Sequence, residues 1–320
     1  GVRLLRGGAP LALLPDNLIS LHQNLERGSA TLSQGSAAPA STSPPSGWHL
    51  EGQGAVSPVS PLSRHPGVSL LVPTFRRPAL LRHAFGLIAA QDYPPESVEV
   101  VVVEDGPCSL EELATAPAFS ELKTRMVYIH LGSDRRPIGV KRNVGVRHCS
   151  GQIVLHWDDD DYYGPSRIRS QVGPIATGRA SLTLISLLYW YSAERAKFYR
   201  VKEDMGGHLS TLCYDRRLWR DGNPLLQYGE TFHGEDLFLF RNMLEVAGVK
   251  KLDLPQGCVP YVYVKTRASM SEEGPPGQEC EAPAFLPQAS SDFLLALSEL
   301  RLQPGMRQTL LAQGRQEEAF

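Results

Sequence analysis

The stretch Ile153-Val154-Leu155-His156-Trp157-Asp158-Asp159-Asp160-Asp161-Tyr162-Tyr163 decides how this chain is read. An apolar run stops abruptly in four consecutive carboxylates. Carboxylates packed this closely repel one another, so stability alone is a poor reason to keep them. Hard oxygen donors at the end of a buried strand suit a divalent cation such as Mg²⁺ or Mn²⁺. In open α/β sheets, ligands bind beyond the carboxyl ends of the strands, which is where this cluster would lie. The competing reading is an acidic, solvated surface turn.

Elements alternate on the N-terminal side of this stretch. Val68 to Val72 reads as a short buried strand stopped by Pro73, and Pro78 to Gln91 as a helix with Leu80, Leu81, Ala84, Leu87 and Ile88 on one face. Val98 to Val103 is a β-branched run, as expected of a strand covered on both faces. Helical turns over Leu110 to Leu122, a strand over Met126 to Leu131 and a helix over Ile138 to Cys149 lead into the strand Ile153 to Trp157. This alternation predicts an α/β fold with a parallel sheet and helical crossovers. Beyond Arg169, three longer strands are expected over Leu182–Tyr191, Lys197–Lys202 and Leu209–Tyr214, in antiparallel arrangement. A helix over Gly234–Val246 and a last strand over Val259–Lys265 follow, and no internal repeat is visible.

The 320 residues suffice for one large domain or two small ones. A formal net charge of −2 gives no electrostatic footprint for nucleic acid or an acidic membrane. Cys108, Cys149, Cys213, Cys258 and Cys280 show no CxxC spacing, which argues against a zinc site or a disulfide framework. No stretch approaches the roughly 18 apolar residues of a membrane span. The chain opens on Gly1 rather than Met, so the compartment stays open between cytoplasm and Golgi. Residues 28–66, rich in Ser, Pro, Gly and Ala, read as a disordered linker, with one short amphipathic helix expected over 11–26. Ser271–Ser291 reads as a second linker, and Asp292–Leu302 as a helix carrying Phe293, Leu294, Leu297 and Leu300 at helical spacing. The expected organisation is an extension over 1–66, a main domain over 67–270, and a linker with a helical tail over 271–320.

Three strand-end loops stand out: Pro73-Thr74-Phe75-Arg76-Arg77-Pro78, Glu104-Asp105-Gly106-Pro107, and the aspartate run. Parallel strand ends face one edge, so the loops should converge on one cleft. Asp105 there can accept from a base imide or a ribose hydroxyl, or simply make a turn. In Pro137-Ile138-Gly139-Val140-Lys141-Arg142-Asn143-Val144-Gly145, Lys141 and Arg142 can neutralise phosphate. Arg142 and Asn143 can equally cap or pair with the aspartates, while Ile138, Val144 and Val146 read as core. His233-Gly234-Glu235-Asp236 opens a helix, where an acidic pair also suits the helix dipole.

In order and spacing these motifs resemble the family 2 glycosyltransferases, which have the GT-A fold, a Rossmann-like mixed sheet flanked by helices. The resemblance covers residues 68 to 265, well in the first half and loosely in the second. It implies a metal-dependent, inverting transfer of a sugar from a nucleoside-diphosphate sugar, foremost a UDP-sugar, to a hydroxyl of a glycan, protein, lipid or small molecule. Asp105 then contacts uracil or an equivalent base. Glu104 departs from the family's first Asp, and Pro107 from its small hydroxyl residue. Further nucleotide-sugar contacts are implied for Pro73, Thr74, Phe75, Lys141, Arg142 and Asn143. Asp158 and Asp160 fill the Asp-x-Asp positions, Asp160 as direct metal ligand and Asp158 or Asp159 reaching the ribose or a metal-bound water. Asp161 caps the next segment. Asp236 is implied as the base that takes the acceptor proton, with Glu235 second. His208 and His233 are nearer to ordinary surface or core histidines, and Tyr189, Trp190 and Tyr191 to core. Trp157 and Tyr162 would shape the donor pocket, and Tyr261 and Tyr263 fit either role. Two rivals remain. A sugar-phosphate nucleotidyltransferase would need glycines around Arg76-Arg77, and a non-catalytic nucleotide-sugar-binding module would not need Glu235-Asp236.

Overall fold

β-Branched and apolar residues fill both faces of a central sheet, and this places the site. The computed structural model describes residues 65–106, 124–201, 207–265, 277–288, 290 and 294, and the backbone alone of 2–6 and 12–13. In chain order the elements are β1 (Val2–Arg6), β2 (Ala12–Leu13), β3 (Val68–Thr74), α1 (Pro78–Ala89), β4 (Val98–Glu104), β5 (Arg125–His130), α2 (Ile138–His148), β6 (Ile153–His156) and β7 (Tyr162–Tyr163). They continue with α3 (Arg167–Ala176), β8 (Leu182–Ser186), β9 (Tyr189–Ser192), β10 (Lys197–Val201), β11 (Gly207–Asp215), α4 (Glu235–Leu244), β12 (Lys251–Leu254), β13 (Tyr261–Lys265) and β14 (Gly277–Cys280). The main sheet runs β12-β8-β11-β6-β3-β4-β5-β1-β2, and a second runs β14-β10-β9-β13-β7. β6, β3, β4 and β5 are mutually parallel, while β11 joins β6 antiparallel, so the sheet is mixed.

The two-residue period of the strands divides the core. On β4, Val100 and Val102 pack into one cluster with Phe85 of α1 and Ile168 and Val172 of α3. Val101 and Val103 pack into the other with Val146 of α2 and Leu239 and Met243 of α4. Both faces are therefore covered by helices, which is why the sequence of β4 is continuously apolar rather than alternating.

Several expected boundaries shift. β3 continues through Pro73 to Thr74. Leu71 accepts from Trp157 N, so Pro73, two residues on, faces the same neighbour, where the β6 ladder has ended and no N–H is missed. The run Leu182–Tyr191 is two strands, with β8 in the main sheet and β9 in the second; an apolar run alone does not say where a chain changes sheets. β12, half-exposed and partly polar, carries no strong strand signal, and β13 is therefore neither the next strand after α4 nor the last. β14 falls inside the segment expected to be a linker; its side chains are mostly exposed and it is held by backbone pairing to β10. Ala12–Leu13 is strand rather than helix and pairs with β1. The remainder of the 11–26 helix, the 28–64 linker and the turns over Leu110–Leu122 lie outside the described residues. So does the tail helix over Asp292–Leu302, except Leu294, which is helical and buried. Residues 14–65 form a unit separate from 1–13 with 66–320, and of that unit only His65 is described.

Candidate functional site

The register sets the three loops side by side: Thr74 pairs with Glu104 across β3 and β4, and Leu71 with His156 across β3 and β6. In the turn after β6 exposure alternates from residue to residue. Asp158 and Asp160 keep side chains 22% and 15% exposed, whereas Asp159 and Asp161 are buried. Asp159 accepts from Thr74 Oγ1 at 2.6 Å and from Arg77 Nη1 at 3.1 Å. The same Arg77 nitrogen donates to Asp160 Oδ2 at 2.9 Å. Asp161 is engaged wholly by protein donors, described below.

α2 lies close enough to the strand ends to bring buried charge among them. A Cβ on Gly139 would stand 1.7 Å from Gly229 O, so this glycine is required by contact, and one on Gly145 would stand 2.2 Å from Leu71 Cδ1, which would have to move. From this helix Lys141 Nζ donates to Asp105 Oδ1 at 2.9 Å and to Thr74 O at 3.2 Å. Asp105 is fully buried, and its second oxygen accepts the Arg136 N–H. Glu104 accepts from the Tyr128 hydroxyl and, at 3.4 Å, from Arg76 N. Arg76 holds a left-handed backbone (φ 52°), a costly conformation for a residue with a Cβ, and its guanidinium lies 5.2 Å from the Phe75 ring. The Arg135 guanidinium lies 5.3 Å from the centre of the same Phe75 ring.

Arg142 joins the two halves of the site. Its Nη2 donates to Asp158 Oδ1 at 3.0 Å and its Nη1 to Glu235 Oε1 at 2.7 Å, with Asp236 Oδ2 at 3.4 Å. Glu235 is buried by this contact, while the Asp236 side chain remains 20% exposed. Asn143 is turned away from the cleft. Its Oδ1 accepts from Tyr228 N and Trp219 Nε1, and its Nδ2 donates to Tyr228 O, so it supports the loop before α4 instead of reaching a nucleotide. Pro73 sits within β3, fully inside the sheet.

Charge crowding shows in the carboxyls. Burial, aided by Asp159 and Asp158 and opposed by Arg77, pushes Asp160 up to about 7. Burial raises Asp158 as well, against Arg142 and with Asp236. Burial and neighbouring Asp236 lift Glu235 to about 7 despite Arg142. Burial lowers His208 to about 4, so this ring, packed 4.8 Å from Tyr263, is neutral. These carboxylates are hard oxygen donors carrying more negative charge than the adjacent arginines offset, and Asp158 and Asp160 are the two left open; they fit a divalent cation. Among the described residues no group of three or more His, Cys, Asp or Glu side chains forms a closed cage. Phosphate oxygens of a ligand would have to complete the shell.

Two expected pocket residues are core. Trp157 and Tyr162 are 0% and 2% exposed: Trp157 lies on the buried side of the alternation, whereas Tyr162 opens β7 and packs into a different core cluster. Trp157 packs at 4.8 Å on Tyr163, and Tyr162 stacks on Phe285. His233 is exposed and its backbone carbonyl accepts from Thr231 Oγ1. Sequence reasoning missed Arg77, Tyr228 and Arg167. Arg77 lay in a quoted loop and could have been paired with the aspartates; Tyr228 and Arg167 act from segments without a local signature.

A family model for glycosyl transferase family 2 matches residues 69–244, more than half of the chain. The poly(ribitol-phosphate) beta-N-acetylglucosaminyltransferase TarS of Staphylococcus aureus is 27% identical over 119 residues, 37% of this chain and 20% of TarS. Validoxylamine A glucosyltransferase of Streptomyces hygroscopicus is 28% identical over 137 residues, 42% of this chain and 30% of that enzyme. The matches thus span less than a third of these curated relatives. The crystal structure of S. aureus TarS 1–349 in complex with UDP-GlcNAc superposes with a TM-score of 0.50 at 20% identity, covering 77% of this chain and 71% of that one. At that identity the likeness is one of fold, and the fold is GT-A. With its strand-end loops, mixed sheet and family-model match, the chain belongs to glycosyl transferase family 2.

Proposed function

We propose that residues 67–270 are a metal-dependent, inverting glycosyltransferase domain that moves a sugar from a nucleoside-diphosphate sugar to an acceptor hydroxyl. The observation that carries this reading is Arg142, whose one guanidinium ties Asp158 of the aspartate turn to Glu235 and Asp236 at the head of α4. A donor site and an acidic helix start are thereby held at a fixed spacing, as a single displacement requires. TarS, whose fold is similar, binds UDP-GlcNAc, and this favours a UDP-sugar as donor.

In this mechanism the nucleobase lies at the β3–β4 edge. There half-buried Phe75 offers a ring face, and Asp105, fixed by Lys141 and the Arg136 amide, sets the polar floor. Asp158 and Asp160 would hold the cation, which when bound supplies Lewis-acid stabilisation of charge on the leaving diphosphate. Asp159 holds Thr74 and Arg77 in place and does not reach the donor itself. Asp236 is the base. Its carboxylate is the more open of the pair and only 3.4 Å from Arg142, while Glu235 is buried against that cation at 2.7 Å and serves to orient it. Asp236 takes the hydroxyl proton as the acceptor oxygen attacks from the face opposite the diphosphate, which inverts the anomeric carbon.

A panel of nucleoside-diphosphate sugars, supplied with Mn²⁺ and assayed by nucleotide release, tests the reading. The expected result is release of a nucleoside diphosphate, UDP foremost. Pyrophosphate release from a nucleoside triphosphate plus a sugar phosphate, with no turnover of any diphosphate sugar, would overturn it.

A further inference from the structure

Asp161, the last of the four aspartates, draws together two sheets. Its Oδ1 accepts from Val264 N of β13 at 2.8 Å. Its Oδ2 accepts from the hydroxyls of Tyr261 on β13 at 2.9 Å, Ser210 on β11 at 3.2 Å and Tyr163 on β7 at 3.2 Å. β11 belongs to the main sheet, whereas β7 and β13 belong to the second. Burying a carboxylate beside other carboxylates is costly, and an apolar residue of similar size would stabilise this junction more cheaply. The cost is understandable if the carboxylate's geometry is what the site needs.

That geometry bears on the two open carboxylates. Tyr163 OH, which donates to Asp161, also accepts from Asp158 N at 3.4 Å. The Tyr163 ring lies 3.5 Å from the guanidinium of fully buried Arg167, which donates to His156 O. The backbone is therefore held on one side of the turn at His156 and Asp158, and on the other at Asp161. Asp160, between the two anchors, accepts from Arg77 Nη1 at 2.9 Å.

We propose that Asp161 is a positioning residue that aims Asp158 and Asp160 at the divalent cation, a role that rests on the cation reading above. Asp161 itself does not touch the cation; it makes the alternate carboxylates face the cleft by fixing the end of the turn. The support for metal ligands by hydrogen-bonded neighbours is commonly worth about 10- to 100-fold in metal affinity.

The test is a Mn²⁺ titration in the presence of UDP, followed by electron paramagnetic resonance, on the wild-type chain, Asp161→Asn and Tyr261→Phe. Asparagine keeps the shape and can still accept from Val264 N, while two of the three hydroxyls can turn to accept from the two hydrogens of its amide. The expected result is Mn²⁺ binding weakened about tenfold or more in Asp161→Asn and a few-fold in Tyr261→Phe. Cooperative thermal unfolding and metal-free UDP binding should both be kept. Wild-type Mn²⁺ affinity in both variants would overturn the proposal while leaving the cation reading intact. Should Asp161→Asn fail to fold, Tyr261→Phe decides by the same criterion. Absence of Mn²⁺ binding by the wild-type chain would overturn both.

Discussion

Asp236→Asn should lower the rate of sugar transfer by about 10²- to 10⁴-fold, the range that a positioned general base contributes. The amide has the same shape and can keep its place at the first turn of α4, but it cannot take a proton. Donor binding should fall far less than rate, because Asp236 meets the donor side only through Arg142, which keeps its shorter bonds to Glu235 and Asp158. The measurement is kcat at saturating donor, with donor affinity from calorimetry. Glu235→Gln should behave differently. Glu235 is buried against Arg142, so its loss should lower thermal stability together with rate. A full-rate Asp236→Asn enzyme would move the base assignment to another residue.

Arg142→Met should cost about 3–5 kcal/mol of folding stability, read by urea denaturation, since it leaves the buried Glu235 carboxylate without its cation. Arg142 is 2% exposed, its charge is strongly favoured by Glu235, Asp158 and Asp236, and its guanidinium lies 5.8 Å from the Tyr228 ring. Arg142→Lys should recover little of the loss. An ammonium on a flexible stem cannot reach two carboxylates on opposite sides with the fixed fork of a guanidinium. Adding Glu235→Leu to Arg142→Met should return part of the stability, because a buried apolar pair replaces a broken ionic one. A stable, fully active Arg142→Met chain would remove the link between the two halves of the site.

The strands that carry the site were legible because they are buried on both faces. Val98–Val103 needs no periodicity argument, and the three loops that end β3, β4 and β6 could be placed on one edge from parallel topology alone. What the sequence could not assign was direction. Four identical aspartates differ only in which way the turn faces each one, so Asp159 seemed as available as Asp158 until burial separated them. Trp157 and Tyr162 flank the turn yet face the core, Trp157 in one cluster and Tyr162, on β7, in another. Asn143 looked like a cleft residue because Lys141 and Arg142 are, but its partners Trp219 and Tyr228 lie some 80 residues on and leave no local trace. β12 and β14 escaped because edge strands held by backbone pairing need no apolar pattern.

The proposed transfer is a single displacement at the sugar's anomeric carbon, driven from Asp236 and dependent on a cation at Asp158 and Asp160. Proton NMR of the anomeric signal, recorded as the chain consumes an α-linked UDP-sugar with Mn²⁺, tests it directly. The transferred or released sugar should first appear in the β configuration, and no product should form when EDTA removes the metal. First appearance of the α configuration, or turnover unaffected by EDTA, would contradict it.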